Sequence, residues 1–245
     1  MTVVRGVALL AVVFLAAVPG SAVAQDVSLS FGDGGSLTAR ALQLIIVITV
    51  LSLAPGLAIM VTCFPFLVTV LAILRQGIGL QQSPPNMLIV SLALFLTYFV
   101  MEPVFDEAWQ TGLNPLLNED ISVDVAMERT LAPFRHFMAA RVDPDTFEAM
   151  AALRSDQPAS GPAPDAALSV LMPSFMLSEI ARAFQIGFLV FLPFLIIDLV
   201  VAAVLMSMGM MMVPPATVSL PFKLAFFVIA DGWSLIAAAL VRGYM

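Results

Sequence analysis

Four long apolar blocks dominate this chain, and each is interrupted or ended by proline. They run 41–74, 87–101, 171–212 and 220–241. A helix needs ~20 apolar residues to cross the roughly 30 Å of hydrocarbon in a bilayer. In lipid, every backbone N–H and C=O must be satisfied within the protein, which leaves helices and closed barrels as the spanning structures. Blocks of this length predict an all-α integral membrane protein with kinked helical hairpins and about four hydrophobic helical segments. Composition agrees: 61% of residues are hydrophobic and 11% charged, against roughly 45–50% and roughly 25% in a soluble domain.

The breaks between blocks divide the chain into five parts. Residues 1–24 read as a signal peptide. Arg5 supplies a positive start, a short apolar core follows from Val7 to Val18, and Pro19-Gly20 breaks it. Ala22-Val23-Ala24 then offers a small-x-small cleavage pattern, with cleavage between Ala24 and Gln25. The alternative is an uncleaved anchor, for which the apolar core is short. Residues 25–40 form a Gly- and Ser-rich N-terminal segment on the periplasmic side.

The first hydrophobic hairpin region is 41–101. As one rod, 41–74 would measure about 50 Å at about 1.5 Å per residue. Pro55-Gly56 and Pro65 interrupt it, predicting a kinked helix or a tight hairpin. Arg75 to Asn86 holds two glycines and two prolines in twelve residues, a turn-rich connector. The next block stops before Glu102-Pro103. The polar insert, 102–170, carries most of the net charge of -7, with twelve acidic residues and four arginines between Glu102 and Asp165. Helices are expected over 130–141 and 144–153, the second with Asp143 as cap and Pro144 in its first turn. Residues 157–164 are a Pro-rich linker. The second hydrophobic hairpin region, 171–245, contains a Met-rich loop and the Pro214-Pro215 stop. Arg75 and Lys223 flank the two Pro-rich connectors, which places those connectors in the cytoplasm and the acidic insert in the periplasm.

Several chemistries lack their residues. Cys63 is the only cysteine, His136 the only histidine and Lys223 the only lysine. One thiol and one imidazole make neither a zinc site nor a nucleophile pair. No glycine-rich loop precedes Lys223, so a phosphate-cradling loop is not expected. No basic patch suits nucleic acid. The reading is a chain without catalytic, cofactor or metal residues, and not an enzyme.

The unusual residues are charges in apolar surroundings: Glu179, Arg182, Asp198, Lys223 and Asp231. A charge at the bilayer centre costs about 2.5–3.5 kcal/mol on insertion scales, so each needs a partner, water or protein cover. Glu179 and Arg182, three apart, can pair on one helix face. Lys223 and Asp231 share a face but lie two turns apart, so Lys223 must find Glu179, Asp198 or another copy of the chain. No basic residue lies within four positions of Asp198. Met206, Met208, Met210, Met211 and Met212 place five of fifteen methionines in seven residues, just before Pro214-Pro215. Flexible thioether side chains there suit a pore seal that reshapes around varied chains, or an interhelical filler. Gly187, Ala202, Ala203 and Gly209 permit close helix approach.

Two segments carry a resemblance. One is Leu74-Arg-Gln-Gly-Ile-Gly-Leu-Gln-Gln-Ser-Pro-Pro-Asn86, running into Leu92-Ala-Leu-Phe-Leu-Thr97. The other is Pro173-Ser-Phe-Met-Leu-Ser-Glu-Ile-Ala-Arg-Ala-Phe-Gln-Ile-Gly187, continuing through Phe194-Leu-Ile-Ile-Asp198 to Met210-Met-Met-Val-Pro-Pro215 and Leu220-Pro-Phe-Lys-Leu224. Both are similar to the FliP family of flagellar type III export-gate proteins and to the SctR-type proteins of virulence secretion. The resemblance covers roughly 41–103 and 170–242, departs mildly at Pro173-Ser174, and leaves the insert unmatched. It implies a subunit of the bacterial inner membrane, in the flagellar basal body, assembled as five copies with FliQ- and FliR-like subunits. FlhA- and FlhB-like export proteins would be further partners, and unfolded flagellar proteins the cargo. Much of such an assembly stands above the expected membrane plane. The resemblance also implies a pore gasket at Met210, Met211 and Met212, and an acid–lysine pair, Glu179 with Lys223, that stabilises the assembly. Two rival readings are a proton-coupled transporter using Asp198 and Asp231, and an intramembrane protease, whose glycine-flanked aspartates are missing here.

Overall fold

The computed structural model describes residues 37–80, 84–154, 164–210 and 212–244. The expected signal peptide with its cleavage position at Ala24 and Gln25, most of the 157–164 linker, and Met211 lie outside them. Among the described residues every regular element is a helix. The chain divides into two units, 1–51 and 52–245.

The described part of the first unit is the beginning of α1 (Leu37–Met60). Leu42, Leu44, Ile45, Ile46, Val47, Ile48 and Leu51 are all exposed, so the helix is apolar around its circumference, the pattern of a segment that meets lipid or protein on every side.

In the second unit, α1 ends at Met60 and α2 (Phe64–Ile78) begins after a three-residue break. Of the two expected interruptions, only the one at Pro65 is real. Pro65 sits in the first turn of α2, where its missing N–H has no helical acceptor to lose. Pro55-Gly56 lies inside α1. α2 is the core of the unit. Phe66, Leu67, Val70, Leu71, Leu74 and Ile78 recur at helical spacing and are all buried. α2 stops at Gly79, whose φ of 90° is the left-handed conformation that glycine adopts without a Cβ clash.

Then comes α3 (Asn86–Ala108), which runs straight through the expected stop at Glu102-Pro103. Proline removes one helical bond, but Met101 and Ala108 on either side are buried and hold both halves in place. α3 passes into a π-helical turn (Trp109–Leu113) and the short α4 (Asn114–Leu117). A Cβ on Gly112 would lie 2.1 Å from Thr130 Oγ1. Glycine there lets α5 (Val123–Arg141) cross in near contact. α5 starts seven residues before the expected position, with Pro133 inside it. α6 (Pro144–Ala152) is capped by Asp143 as expected, the carboxylate accepting from Thr146 N–H at 2.9 Å.

The longest element is α7 (Leu168–Ser207), 40 residues with Pro173 and Pro193 inside. It packs along α2, and the contact requires Gly187, where a Cβ would fall 2.4 Å from Ile73 Cδ1. α8 (Pro215–Ile229) and α9 (Gly232–Arg242) follow, bent by 61° about Ala230-Asp231. Among the described residues, three segments are long and apolar enough to cross a membrane: 42–60, 86–117 and 168–207. The bent pair α8–α9 makes a fourth if counted as one span.

Candidate functional site

α7 carries the site. Its two carboxylates, Glu179 and Asp198, serve two separate polar clusters, and its C-terminus leads into the methionine turn.

The first cluster joins three helices. Lys223 on α8 donates to Asp198 Oδ2 at 2.6 Å and to the Gly77 carbonyl of α2 at 3.0 Å. The Ser219 hydroxyl, one turn before Lys223, lies 2.6 Å from Asp198 Oδ1. Lys223 is 5% exposed, and Asp198 keeps 33% of its side chain open. A buried ammonium needs a carboxylate and further acceptors to offset lost hydration, and this arrangement supplies both. The opening beside Asp198 is a cavity of about 760 Å³ lined by Val68, Thr69, Ile73, Arg75, Phe184 and Lys223, among others.

In the second cluster, Glu179 is fully buried. Its Oε1 accepts from Arg141 Nε at 3.1 Å and from Arg182 Nη1 at 2.9 Å, and the Tyr244 hydroxyl donates to Oε2. Arg141 also donates to the Gly243 carbonyl at 2.8 Å and lies 3.9 Å over the Tyr244 ring. One carboxylate therefore ties together α5, α7 and the chain's C-terminal end. Burial, and then the Glu179 charge, push the Tyr244 hydroxyl well above its usual range, so it stays a neutral donor.

The sequence-predicted charges separate accordingly. Glu179 and Arg182 meet on one helix face, as their spacing indicated. The pair named by the resemblance, Glu179 with Lys223, is not made within the chain. Lys223 takes Asp198 instead, because α8 packs beside the C-terminal half of α7. Asp231 is exposed, holds a φ of 47° between α8 and α9, and accepts from the Ser234 hydroxyl at 3.1 Å. Its contacts are separate from those of Asp198. Sequence reasoning missed Arg141 and Tyr244. Their partner lies 38 and 65 positions away, beyond any local spacing. The one available hint was an aromatic residue at the end of an apolar helix, able to bury its ring and keep its hydroxyl bonded.

α7 ends in a Schellman turn: Gly209 N–H donates to Met206 O and Met210 N–H to Leu205 O, both at 3.0 Å. Gly209 holds φ 77°, and a Cβ there would meet nothing within 4 Å. Met206, Met208, Met210 and Met212 are all exposed. Met208 and Met210 border a groove of about 570 Å³ walled by Ile196, Val200, Val204, Val218 and Phe222.

Comparison with known proteins bears on this arrangement. The chain is 49% identical over 239 residues to the flagellar biosynthetic protein FliP of Caulobacter vibrioides, covering 97% of this chain and 90% of that one. It is 49% identical over 214 residues to FliP of Rhizobium meliloti, covering 86% of each. FliP of Bacillus subtilis is 45% identical over 203 residues, covering 82% of this chain and 91% of the other. The FliP family profile matches residues 47–240, which include the Lys223–Asp198 cluster, Glu179 with Arg141 and Arg182, and the methionine turn. The chain belongs to the FliP family.

Proposed function

We propose that this chain is a core subunit of the flagellar type III protein export gate, and that several copies form a ring whose pore passes unfolded flagellar proteins. Membership of the FliP family, together with its apolar helices, makes it a membrane-embedded flagellar component. The observation that carries the finer reading is the methionine turn: four exposed thioethers on one Schellman-capped turn, between two apolar helices. In a ring, such turns from each copy meet at the axis and seal it, and they reshape when a chain passes because methionine adapts to irregular partners. Met210, Met211 and Met212 form the gasket. The exposed apolar side chains of α3 and α7, such as Phe95, Phe99, Phe184 and Leu199, support burial against sister copies and FliQ- and FliR-like subunits. FlhA- and FlhB-like export proteins are further partners, and an export ATPase and the proton-motive force supply the energy. The leader ends at Ala24, and the acidic insert faces the periplasm of the bacterial inner membrane.

Cross-linking in the native membrane, followed by purification, tests the assembly. A closed multimer with small helical partners is expected, and a lone monomer that supports motility overturns the reading. Replacing Met210, Met211 and Met212 with Ala tests the seal. Leak of ions and small solutes should rise, and an unchanged leak removes the gasket role.

A further inference from the structure

We propose that the methionine turn is a sulfoxidation site, and that peroxide, by oxidising it, loosens the seal. The proposal rests on the gasket reading.

Fifteen methionines are present, and the fold treats them unequally. Met101 is 0% and Met138 1% exposed, deep among apolar neighbours. Met212 is 97%, Met208 67%, Met206 61% and Met210 43% exposed. Oxidation follows access to the sulfur. Met87 at 80% and Met127 at 62% are open too, but they lie outside the seal, so their oxidation leaves the leak unchanged.

The reaction needs no protein catalyst. The thioether sulfur donates an electron pair to one oxygen of hydrogen peroxide. The O–O bond breaks, an S–O bond forms, and the other oxygen leaves as water. Sulfur is oxidised by two electrons and the peroxide is reduced. The product is a polar sulfoxide, a strong acceptor on a formerly apolar side chain.

Position decides the consequence. Met208 and Met210 border the groove formed by Ile196, Val200 and Phe222, and every residue lining it has an apolar side chain. A sulfoxide oxygen turned into that groove finds no donor, so it leaves for water. Gly209, in open space at positive φ, lets the turn follow. Met208 and Met210 then no longer line the groove between α7 and α8.

The test uses the full chain in membrane vesicles exposed to dilute hydrogen peroxide. Peptide mass mapping should find Met206, Met208, Met210 and Met212 oxidised at least tenfold faster than Met101 and Met138. Solute leak should rise in step, and treatment with methionine sulfoxide reductases of both stereospecificities should reverse it. Equal oxidation rates overturn the proposal, as does selective oxidation without added leak. If alanine replacement at Met210, Met211 and Met212 still raises the leak, the gasket reading survives that failure. If it does not, both fall.

Discussion

Lys223 and Asp198 close a 2.6 Å ion pair between α8 and α7, and the same ammonium reaches the Gly77 carbonyl on α2. One side chain thereby fixes three helices that are up to 146 positions apart in the chain. Asp198→Asn leaves Lys223 buried without its counter-charge. Removing one partner of a buried pair costs roughly 3–5 kcal/mol, and the 33% opening of Asp198 puts this case at or below the lower end. A fall in melting temperature in detergent should report it. Lys223→Glu should be rescued by Asp198→Lys more than by Glu179→Lys. The reverse order would mean that Lys223 works across subunits.

The α2–α7 contact depends on a missing side chain. Gly187→Ala places a Cβ 2.4 Å from Ile73 Cδ1 and within 3.3 Å of two more of its atoms. Overpacking of this kind costs about 1–3 kcal/mol. Ile73→Val removes the nearest atom and should recover part of the loss. Thermal melts of the two single variants and the double variant should show that coupling; simple additivity would mean the helices shift apart freely.

Cys63 lies in the break between α1 and α2 and is fully buried. Burial pushes its thiol up to about 12. The thiolate is the reactive form, so a maleimide at pH 7–8 should leave the folded protein unlabelled and label it fully after denaturation. Rapid labelling of folded protein would contradict this placement.

Asp143 caps α6, and the Thr146 backbone N–H, followed by the Thr146 hydroxyl, holds its carboxyl below the usual carboxylate range. A depressed folded value means the cap contributes above the unfolded value, about 3.9, and its contribution fades as pH falls through the folded one. Proteolysis within 144–154 should therefore accelerate on acidification below about pH 4. Asp143→Asn, which keeps an acceptor without titrating, should flatten that response.

The apolar blocks and their proline punctuation made the helical class readable, and they did so because lipid tolerates few alternatives. The Asp143 cap and the Glu179–Arg182 pair were readable because both are local, three residues apart. Pro55 and Pro103 misled because a proline's effect depends on what the rest of its helix buries, which is tertiary information. The choice of Asp198 for Lys223, and the arrival of Arg141 and Tyr244 at Glu179, depend on helix packing across the whole chain and leave no periodic trace in the sequence.

At about 1.5 Å per residue, the 40 residues of α7 extend about 60 Å. That is twice the roughly 30 Å oily slab of a membrane. Leu177 and Ile180 in the N-terminal half and Leu199, Val200 and Val204 towards the C-terminal end are all uncovered in the single chain. No upright placement lets lipid tails wet both stretches. Whichever half stands clear of the oil must be clothed by neighbouring protein, so the greasiness of this helix measures the company it keeps as much as the medium it sits in.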